Sequence, residues 1–197
     1  MPSPSEVEIC NLALTRLGAD SIRSFDENNK RARLSQITYK HVRDLFLEDY
    51  EWTFNTAYKP LALLSNETHP NFTYVYSVPS DCLYARQILD SEGILSSTVK
   101  WEVFYKKIAT DVEDAWLRYS LAITATGYFP MYFVEAVAAQ IAVELAPAIV
   151  QDKKRQDTLI RIAEARLHQA RDKDAELGIE YLFRDNDPTH DTFVNPS

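Results

Sequence analysis

Glycine is scarce in this chain of 197 residues, and the shortage excludes several kinds of active site. The four glycines lie far apart, at Gly18, Gly93, Gly127 and Gly178. A P-loop, a dinucleotide-binding loop and a nucleophile elbow each need two or more glycines within a few positions. Proteins whose chemistry depends on one of these loops are therefore excluded.

Cysteine and basic residues are also few. The two cysteines, Cys10 and Cys82, have neither metal-ligand nor redox spacing, and as free thiols they fit synthesis in a reducing cytoplasm. Lys and Arg number 21 against 29 Asp and Glu, which gives a formal charge of -8. Such an acidic chain has few of the cations with which proteins neutralise nucleic-acid phosphates, so stable DNA binding is not expected.

A long uncharged apolar run is missing as well. The most apolar stretch, residues 134–150, contains Glu135, Glu144 and Pro147, and it is too short and too charged to span a bilayer. The first six residues show no basic segment followed by an apolar one. The sequence therefore predicts no secretory signal and no membrane partner.

Helical patterns occupy both ends of the chain. Apolar residues make up 46% of the sequence, which suits one packed domain over 1–178. We predict helices at about 5–17, 26–49, 130–150 and 153–177, followed by a flexible tail at 179–197. The predicted caps are Ser5, Gly18, Asp26 and Gly178.

Two features inside these helices are specific enough to test. Pro147 is expected to end or bend the third helix, because its ring clashes with the preceding turn and it donates no hydrogen bond. In the second helix, the apolar stripe predicted to face the core consists of Leu34, Ile37, Val42, Leu45 and Phe46. Arg43 is expected to face water.

The middle of the chain, about 70–124, has a residue pattern typical of β-strands. Short aromatic and β-branched runs there are separated by turn residues, which predicts strands at 72–78, 83–89, 99–107 and 116–123. The expected fold is α+β: an antiparallel helical bundle with a small antiparallel β-sheet inserted between the N-terminal and C-terminal helix pairs.

No pattern of reactive side chains points to catalysis. The four histidines, His41, His69, His168 and His190, form no pair with metal-ligand spacing. The cysteines have no nearby histidine, and carboxylate pairs arise by chance among 29 acidic residues. The basic run 153–155 is either part of a solvated mixed-charge face or a contact for an acidic partner. We therefore predict no enzymatic activity, no cofactor and no metal.

Aromatic residues concentrated in the strands predict a protein that acts through association. Large rigid aromatic side chains bury much area at low entropic cost, which makes them common at interfaces. The residues expected at a subunit or tail interface are Tyr74, Tyr76, Trp101 and Tyr105.

Several short motifs, taken in order, resemble one viral family. They are Ile9–Leu14 with Leu17-Gly18, then Tyr39 with Val42-Arg43-Asp44, Trp52-Thr53-Phe54, the run from Pro70 through Tyr74 and Tyr76 to Pro79-Ser80-Asp81-Cys82-Leu83, Trp101-Glu102-Val103, Ile108–Asp111, Arg118-Tyr119, and Phe129-Pro130-x-x-Phe133 with the apolar run that follows it. Over residues 6–170 the chain is similar to the head-to-tail adaptors of short-tailed bacteriophages, the family of tail tubular protein A and tail accessory factors.

The resemblance implies a structural protein of the virion. Members form a ring, typically a dodecamer, between the portal and the tail tube or nozzle protein, and DNA passes through it in transit. The resemblance also implies no cofactor, and a C-terminal region that reaches toward the portal. In this chain, the residues that suit portal docking are Ile179, Tyr181, Leu182 and Phe183.

Two alternatives remain at this stage. One is an unrelated cytoplasmic α+β module that oligomerises. The other is an adaptor that also hydrolyses cell wall, although no carboxylates of the chain match a catalytic pair for that reaction.

Overall fold

A computed structural model describes residues 4–90, 99–150 and 152–184, with side chains as far as Leu177. The helices in this part of the chain are α1 Glu6–Leu17, α2 Lys30–Asp49, α3 Met131–Ile149 and α4 Lys153–Arg184, with 3₁₀ turns at Thr53–Asn55 and Thr126–Tyr128. The strands are β1 Thr56–Pro60, β2 Ala62–Leu63, β3 Tyr74–Ser77, β4 Cys82–Leu89, β5 Trp101–Phe104, β6 Lys107–Thr110 and β7 Trp116–Leu121. The predicted α+β class is confirmed.

The chain divides into two compact units, where the sequence predicts one domain. The helical unit comprises Met1–Phe46, Trp52–Phe54 and the chain from Ala125 onward. The strand unit comprises Leu47–Glu51 and Asn55–Thr124. Each unit has its own buried apolar residues and is described separately below.

Helix α1 begins and ends as its sequence predicts. Ser5 and Glu8 form a capping box, in which each side chain accepts a hydrogen bond from the other residue's backbone N–H. At the other end, Gly18 has a left-handed backbone with φ 66°, and its N–H donates to the carbonyls of Leu14 and Thr15. Both predicted caps are therefore confirmed.

Helix α2 differs from its prediction at its start and in its buried face. Asn29, and not Asp26, precedes the helix and accepts a hydrogen bond from the N–H of Ala32 at 2.8 Å. Ile37 and Leu45 are exposed, whereas Tyr39 and Arg43 are buried. The predicted stripe is therefore wrong at Ile37 and Leu45, and the prediction that Arg43 faces water is wrong as well. Arg43 can be buried because its aliphatic stem packs as apolar surface while its guanidinium pairs with Asp44.

Helix α3 packs against both α1 and α4. The sequence reading of this stretch as too short and too charged to span a bilayer is wrong for the whole helix: from Met131 to Ile149 it is long and apolar enough to cross a membrane. However, 56% of that apolar window is buried inside the protein. Packing in a core accounts for this composition as well as a membrane does. Helix α3 ends at Ile149, two residues after Pro147, which confirms the predicted break.

Helix α4 continues past its predicted end. It runs through Gly178 to Arg184, so the expected glycine cap at Gly178 is wrong. A glycine inside a helix costs only about 1 kcal/mol relative to alanine, and helix-forming residues on both sides sustain the helix. Residues 179–184, predicted as part of a flexible tail, are helical in backbone, and 185–197 lie outside the described residues.

The strand unit contains two antiparallel sheets where the sequence predicts one. The strand orders are β1-β7-β4 and β2-β3-β6-β5. Buried side chains from both sheets, together with Ala115 just before β7, form one apolar core: Tyr76, Ile88, Ile108, Ala115, Leu117 and Tyr119. The predicted strand 99–107 is in fact the hairpin β5–β6, and β1 and β2 lie before the predicted start of the strand region.

Candidate interaction surfaces

Groups that could bind a metal or act as nucleophiles are the first to consider among the described residues. No group of three or more His, Cys, Asp or Glu side chains among them is placed to hold a metal ion. Burial, reinforced by Glu6, raises the pKa of the Cys10 thiol to about 12. Burial, reinforced by Asp81, raises that of Cys82 to about 11. Both thiols are protonated near neutral pH and are therefore weak nucleophiles.

One buried carboxylate in the helical unit accepts three hydrogen bonds that connect separate segments of the fold. Asp174 on α4 accepts hydrogen bonds from the backbone N–H and the hydroxyl of Thr53, at 2.9 and 2.8 Å. It accepts a third from the Tyr132 hydroxyl on α3, at 2.7 Å. With these donors around it, the carboxylate acts as a structural anchor. The sequence gives no signal for this role, because Asp174 lies among other acidic residues of α4.

The neighbouring aromatic side chains form a packed cluster. The Trp52 indole N–H donates to the carbonyl of Phe46 at 2.7 Å, and its ring meets Phe133 edge-on at 5.1 Å between centroids. Phe54 and Phe129 also contact Phe133, at 4.9 and 5.0 Å. The Trp-x-Phe and Phe-Pro motifs therefore meet in one core.

The tip of the β5–β6 hairpin is the most exposed aromatic feature of the strand unit's described part. Tyr105 is 95% exposed, and it has φ 44°, while Lys106 has φ 59°. Two-residue hairpin turns with left-handed backbone normally carry Asn and Gly, because a Cβ atom is strained there. The carbonyl of Lys106 accepts a hydrogen bond from the N–H of Val78 at 3.2 Å, which holds the tip in place.

An apolar groove of about 480 Å³ lies beside this hairpin. One wall is formed by Trp101 and Val103 on β5, and the other by residues 82–85 at the start of β4. Tyr84 on the second wall is half exposed, and the guanidinium of Arg86 stacks on its ring at 4.4 Å. An apolar groove beside an exposed aromatic is a combination that protein partners commonly occupy.

The four predicted interface residues do not lie together at the surface. Tyr105 is exposed, and Tyr74 and Trp101 are half-buried against the core of the strand unit. Tyr76 is 1% exposed, so it is a core residue with no side-chain surface available to a neighbouring subunit. Its hydroxyl donates to the carbonyl of Val112 at 2.8 Å. The alternation of side chains along β3 and β5 shows which residues share a face of the sheet, but it does not show whether that face is buried or exposed.

The predicted portal-docking residues fall at the end of α4. The backbone of Ile179, Tyr181, Leu182 and Phe183 belongs to the helix, and their side chains lie outside the described residues. Also in the helical unit, the exposed Met131 at the start of α3 lies in a small groove with Arg166 and Lys173 of α4. Sequence reasoning did not single out this groove.

The basic run at the start of α4 has a structural role within the helical unit. Asp152 caps the helix by accepting hydrogen bonds from the N–H groups of Lys154 and Arg155. The Arg155 guanidinium donates to the carbonyl of Arg16 at 3.3 Å, at the C-terminal end of α1. A cation at that end of a helix is favoured by the helix dipole.

Comparison with protein-family models and with curated proteins found no match to this chain. The resemblance to phage adaptors therefore rests on the motif residues themselves. Those residues include the cap at Gly18 and the aromatic cluster around Trp52 and Phe133, which are structural positions of the helical unit.

Proposed function

We propose that this protein is a head-to-tail adaptor of a short-tailed phage virion. In this role it forms a ring that joins the portal to the tail and lets DNA pass. The observation that supports the proposal is that the ordered motifs of the resemblance coincide with residues that hold the fold.

The first supporting positions are in the helical unit. Gly18 of the Leu-Gly motif ends α1 with a left-handed backbone. Trp52 and Thr53 of the Trp-x-Phe motif bind Phe46 and Asp174 through hydrogen bonds. Phe133 of the Phe-Pro motif packs against Trp52 at 5.1 Å. Each substitution at these positions removes a cap, a buried hydrogen bond or core volume.

The second supporting positions are in the strand unit. Asp81 of the Pro-x-Asp-Cys motif accepts a hydrogen bond from the Tyr119 hydroxyl at 3.2 Å. Its carbonyl accepts another from the N–H of Ala122 at 2.8 Å. The motif therefore joins the start of β4 to the end of β7, and Tyr119 itself belongs to the later Arg-Tyr motif.

The composition fits a channel for DNA. A formal charge of -8 per chain repels the duplex, so DNA slides through the ring and is not retained. Within this proposal the helices form an antiparallel bundle, and the strand region is inserted between the N-terminal and C-terminal helix pairs. The ring belongs to the tail or neck of the virion and assembles after synthesis in the host cytoplasm.

Two surfaces carry the contacts in this proposal. The hairpin tip at Tyr105, together with the groove that Trp101 lines, meets neighbouring subunits or the tail component, because the tip is the strained and exposed aromatic feature described above. The C-terminal end of α4, with Tyr181, Leu182 and Phe183, docks on the portal. Repetition around the ring strengthens each weak contact through multivalency.

The test is assembly with portal rings. Purified protein is mixed with portal, and the complex is measured by light scattering and electron microscopy. Ring-shaped complexes of the two proteins support the proposal. A protein that never joins the portal and never forms a ring indicates an unrelated oligomerising module. Turnover of peptidoglycan that one carboxylate substitution abolishes indicates a hydrolase.

Two truncations locate the portal contact. Ending the chain after Gly178 removes Tyr181, Leu182 and Phe183, and we expect portal binding to be lost while the helical circular dichroism is retained. Ending it after Arg184 is the matched control, because it keeps those residues and removes only 185–197. Full portal binding by the shorter truncation contradicts docking by this segment and moves the contact to the helices.

A further inference from the structure

The four-stranded sheet of the strand unit carries an apolar row that runs from one edge to the other. Leu63 on β2 pairs with Tyr76 on β3, Tyr76 pairs with Ile108 on β6, and Ile108 pairs with Val103 on β5. Directly paired residues point to the same face of a sheet. Tyr76 and Ile108 in the middle are buried, whereas Leu63 and Val103 at the ends are 50% and 49% exposed.

The described edges of this sheet have little protection against pairing with another chain. Proteins block sheet edges with Lys, Pro, bulges or very short strands. The edges of the three-stranded sheet have such devices: β1 contains Lys59 and Pro60, and β4 has two irregularities in register. In contrast, β5 is regular and has Glu102 as its only charge, whereas β2 is uncharged and has its two-residue length as its one protective device.

The directions of the strands make these two edges complementary. Each neighbouring pair in the order β2-β3-β6-β5 is antiparallel, so β2 and β5 run in opposite directions. If β5 of one copy lies beside β2 of another copy with the same face outward, the new pair is antiparallel as well. Val103 opposite Leu63 of the neighbour then continues the apolar row across the junction.

We propose that neighbouring subunits join by pairing β5 of one copy with β2 of the next. This inference rests on the proposed ring, and it names the surfaces that build it. The contact uses two different edges of one sheet, so it is head-to-tail, and a head-to-tail contact closes into a ring when its rotation permits. The four-stranded sheet thereby becomes continuous from subunit to subunit.

The groove beside β5 provides room for the neighbour's side chain. Val103 and Trp101 line the apolar groove of about 480 Å³, and both lie on the face of the apolar row. Leu63 of an added strand lies on that same face, next to Val103, so its side chain enters the groove. Both half-exposed ends of the row then leave water, which is the main gain from the contact because β2 offers few backbone hydrogen bonds.

A charge-swap experiment tests the pairing. Leu63→Lys and Val103→Asp are made singly and together, and assembly is measured by light scattering and electron microscopy, with and without portal rings. Each single variant buries an unpaired charge at every junction, so we expect the dissociation constant between neighbours to rise by about tenfold or more. In the double variant the introduced ammonium and carboxylate meet at each junction, and assembly is restored toward wild type.

Matched controls separate assembly from folding. Tyr58→Lys changes a half-exposed residue on β1, outside the row, and is expected to assemble as wild type does. The reversed charges, Leu63→Asp with Val103→Lys, give a second set if either first variant loses its circular dichroism. Rescue in this second double variant supports the same pairing.

The outcomes distinguish this inference from the adaptor proposal. If wild-type protein forms rings and both single variants form them equally well, the β5–β2 pairing is overturned and the adaptor proposal stands. A second outcome also overturns the pairing: Val103→Asp disrupts rings, Leu63→Lys has no effect, and the double variant is not rescued. That result indicates that β5 pairs with a different partner. If wild-type protein forms no ring with or without portal, the adaptor proposal itself fails.

Discussion

Asp174 and Thr53 are joined by two hydrogen bonds, from the backbone N–H of Thr53 at 2.9 Å and from its hydroxyl at 2.8 Å. They lie 121 positions apart in the sequence. The pair fixes the 3₁₀ turn after Trp52 against α4, and the Tyr132 hydroxyl adds a contact from α3 at 2.7 Å. One buried carboxylate therefore connects separate parts of the helical unit.

Replacing Asp174 is expected to destabilise the helical unit strongly. Asp174→Ala leaves buried donors on Thr53 and Tyr132 without their acceptor, which costs about 3 kcal/mol or more in the free energy of unfolding. Asp172→Ala is the matched control, because that exposed carboxylate pairs with the exposed His168 in the i,i+4 position, and loss of such a surface pair costs about 0.5 kcal/mol or less. Urea denaturation measures both. Equal stability of the two variants contradicts the anchoring role.

Alkaline pH is expected to destabilise the strand unit through Tyr119. Burial, reinforced by the carboxylate of Asp81, raises the pKa of Tyr119 from 10.0 to about 12. The folded state therefore holds the phenolic proton after the unfolded state has lost it. The stabilisation is complete below pH 10 and is lost as the pH rises from 10 toward 12.

The variant Tyr119→Phe isolates this effect. It loses the hydrogen bond to Asp81 at 3.2 Å, so it is less stable at neutral pH. Because it has no phenol to titrate, its stability falls less steeply above pH 10 than that of the wild type. Thermal unfolding followed across this pH range measures the difference, and parallel curves for the two proteins argue against a role for Tyr119.

The two thiols are expected to react at different rates. Cys10 is buried and its pKa is about 12, whereas Cys82 is half-buried with a pKa of about 11 and lines the groove beside β5. At about pH 8, Cys82 should be alkylated slowly and Cys10 more slowly still, since the thiolate is the reactive form. Mass spectrometry of wild type and Cys82→Ser assigns the rates. Faster labelling of Cys10 contradicts the prediction.

Replacing the two residues of the hairpin turn is expected to stabilise the strand unit and to weaken its association with other chains. Replacing Tyr105 and Lys106 by Asn and Gly relieves two left-handed residues that carry a Cβ atom, so the strand unit should gain about 1 kcal/mol. The same change removes the exposed Tyr105 ring, so ring formation or tail attachment should weaken.

The single variant Lys106→Gly separates the two effects. It relieves strain at one position and keeps the Tyr105 ring, so it should be stabilised without losing association. Denaturation and light scattering give the two readouts. Unchanged assembly of the Asn-Gly variant contradicts an anchoring role for Tyr105.

Free protein is not expected to retain DNA. With a formal charge of -8 per chain, a ring repels the duplex, and screening at about 0.15 M salt does not reverse the sign of that interaction. Gel-shift measurement across a salt series checks this. Tight binding that weakens steeply with salt means that a local basic surface outweighs the net charge.

Local chemistry in the sequence predicts the helix ends that depend on neighbouring residues only. The capping box at Ser5 and the left-handed Gly18 are decided within a few positions, as is the end of α3 close to Pro147. The same reasoning is wrong at Gly178, because the cost of a helical glycine is small enough for its neighbours to override.

The turn at the hairpin tip could not be predicted from the local sequence. A Tyr-Lys pair carries no turn signal, so residues 99–107 read as one strand. Pairing of β5 with β6, and of β6 with β3, fixes the turn at Tyr105 and Lys106 despite its strain. Long-range strand pairing therefore decided a backbone conformation that local preference disfavours.

The sequence by itself determined the α+β class, the lack of glycine-dependent sites and the local helix caps, because composition and short-range hydrogen bonds are legible within a few residues. Only the tertiary structure decided that Tyr76 is buried, that Asp174 is an anchor, and that Leu63 and Val103 end one apolar row. Each of these depends on residues far apart in the chain. Alternation and charge patterns give the face on which a residue lies, but what covers that face is set by packing.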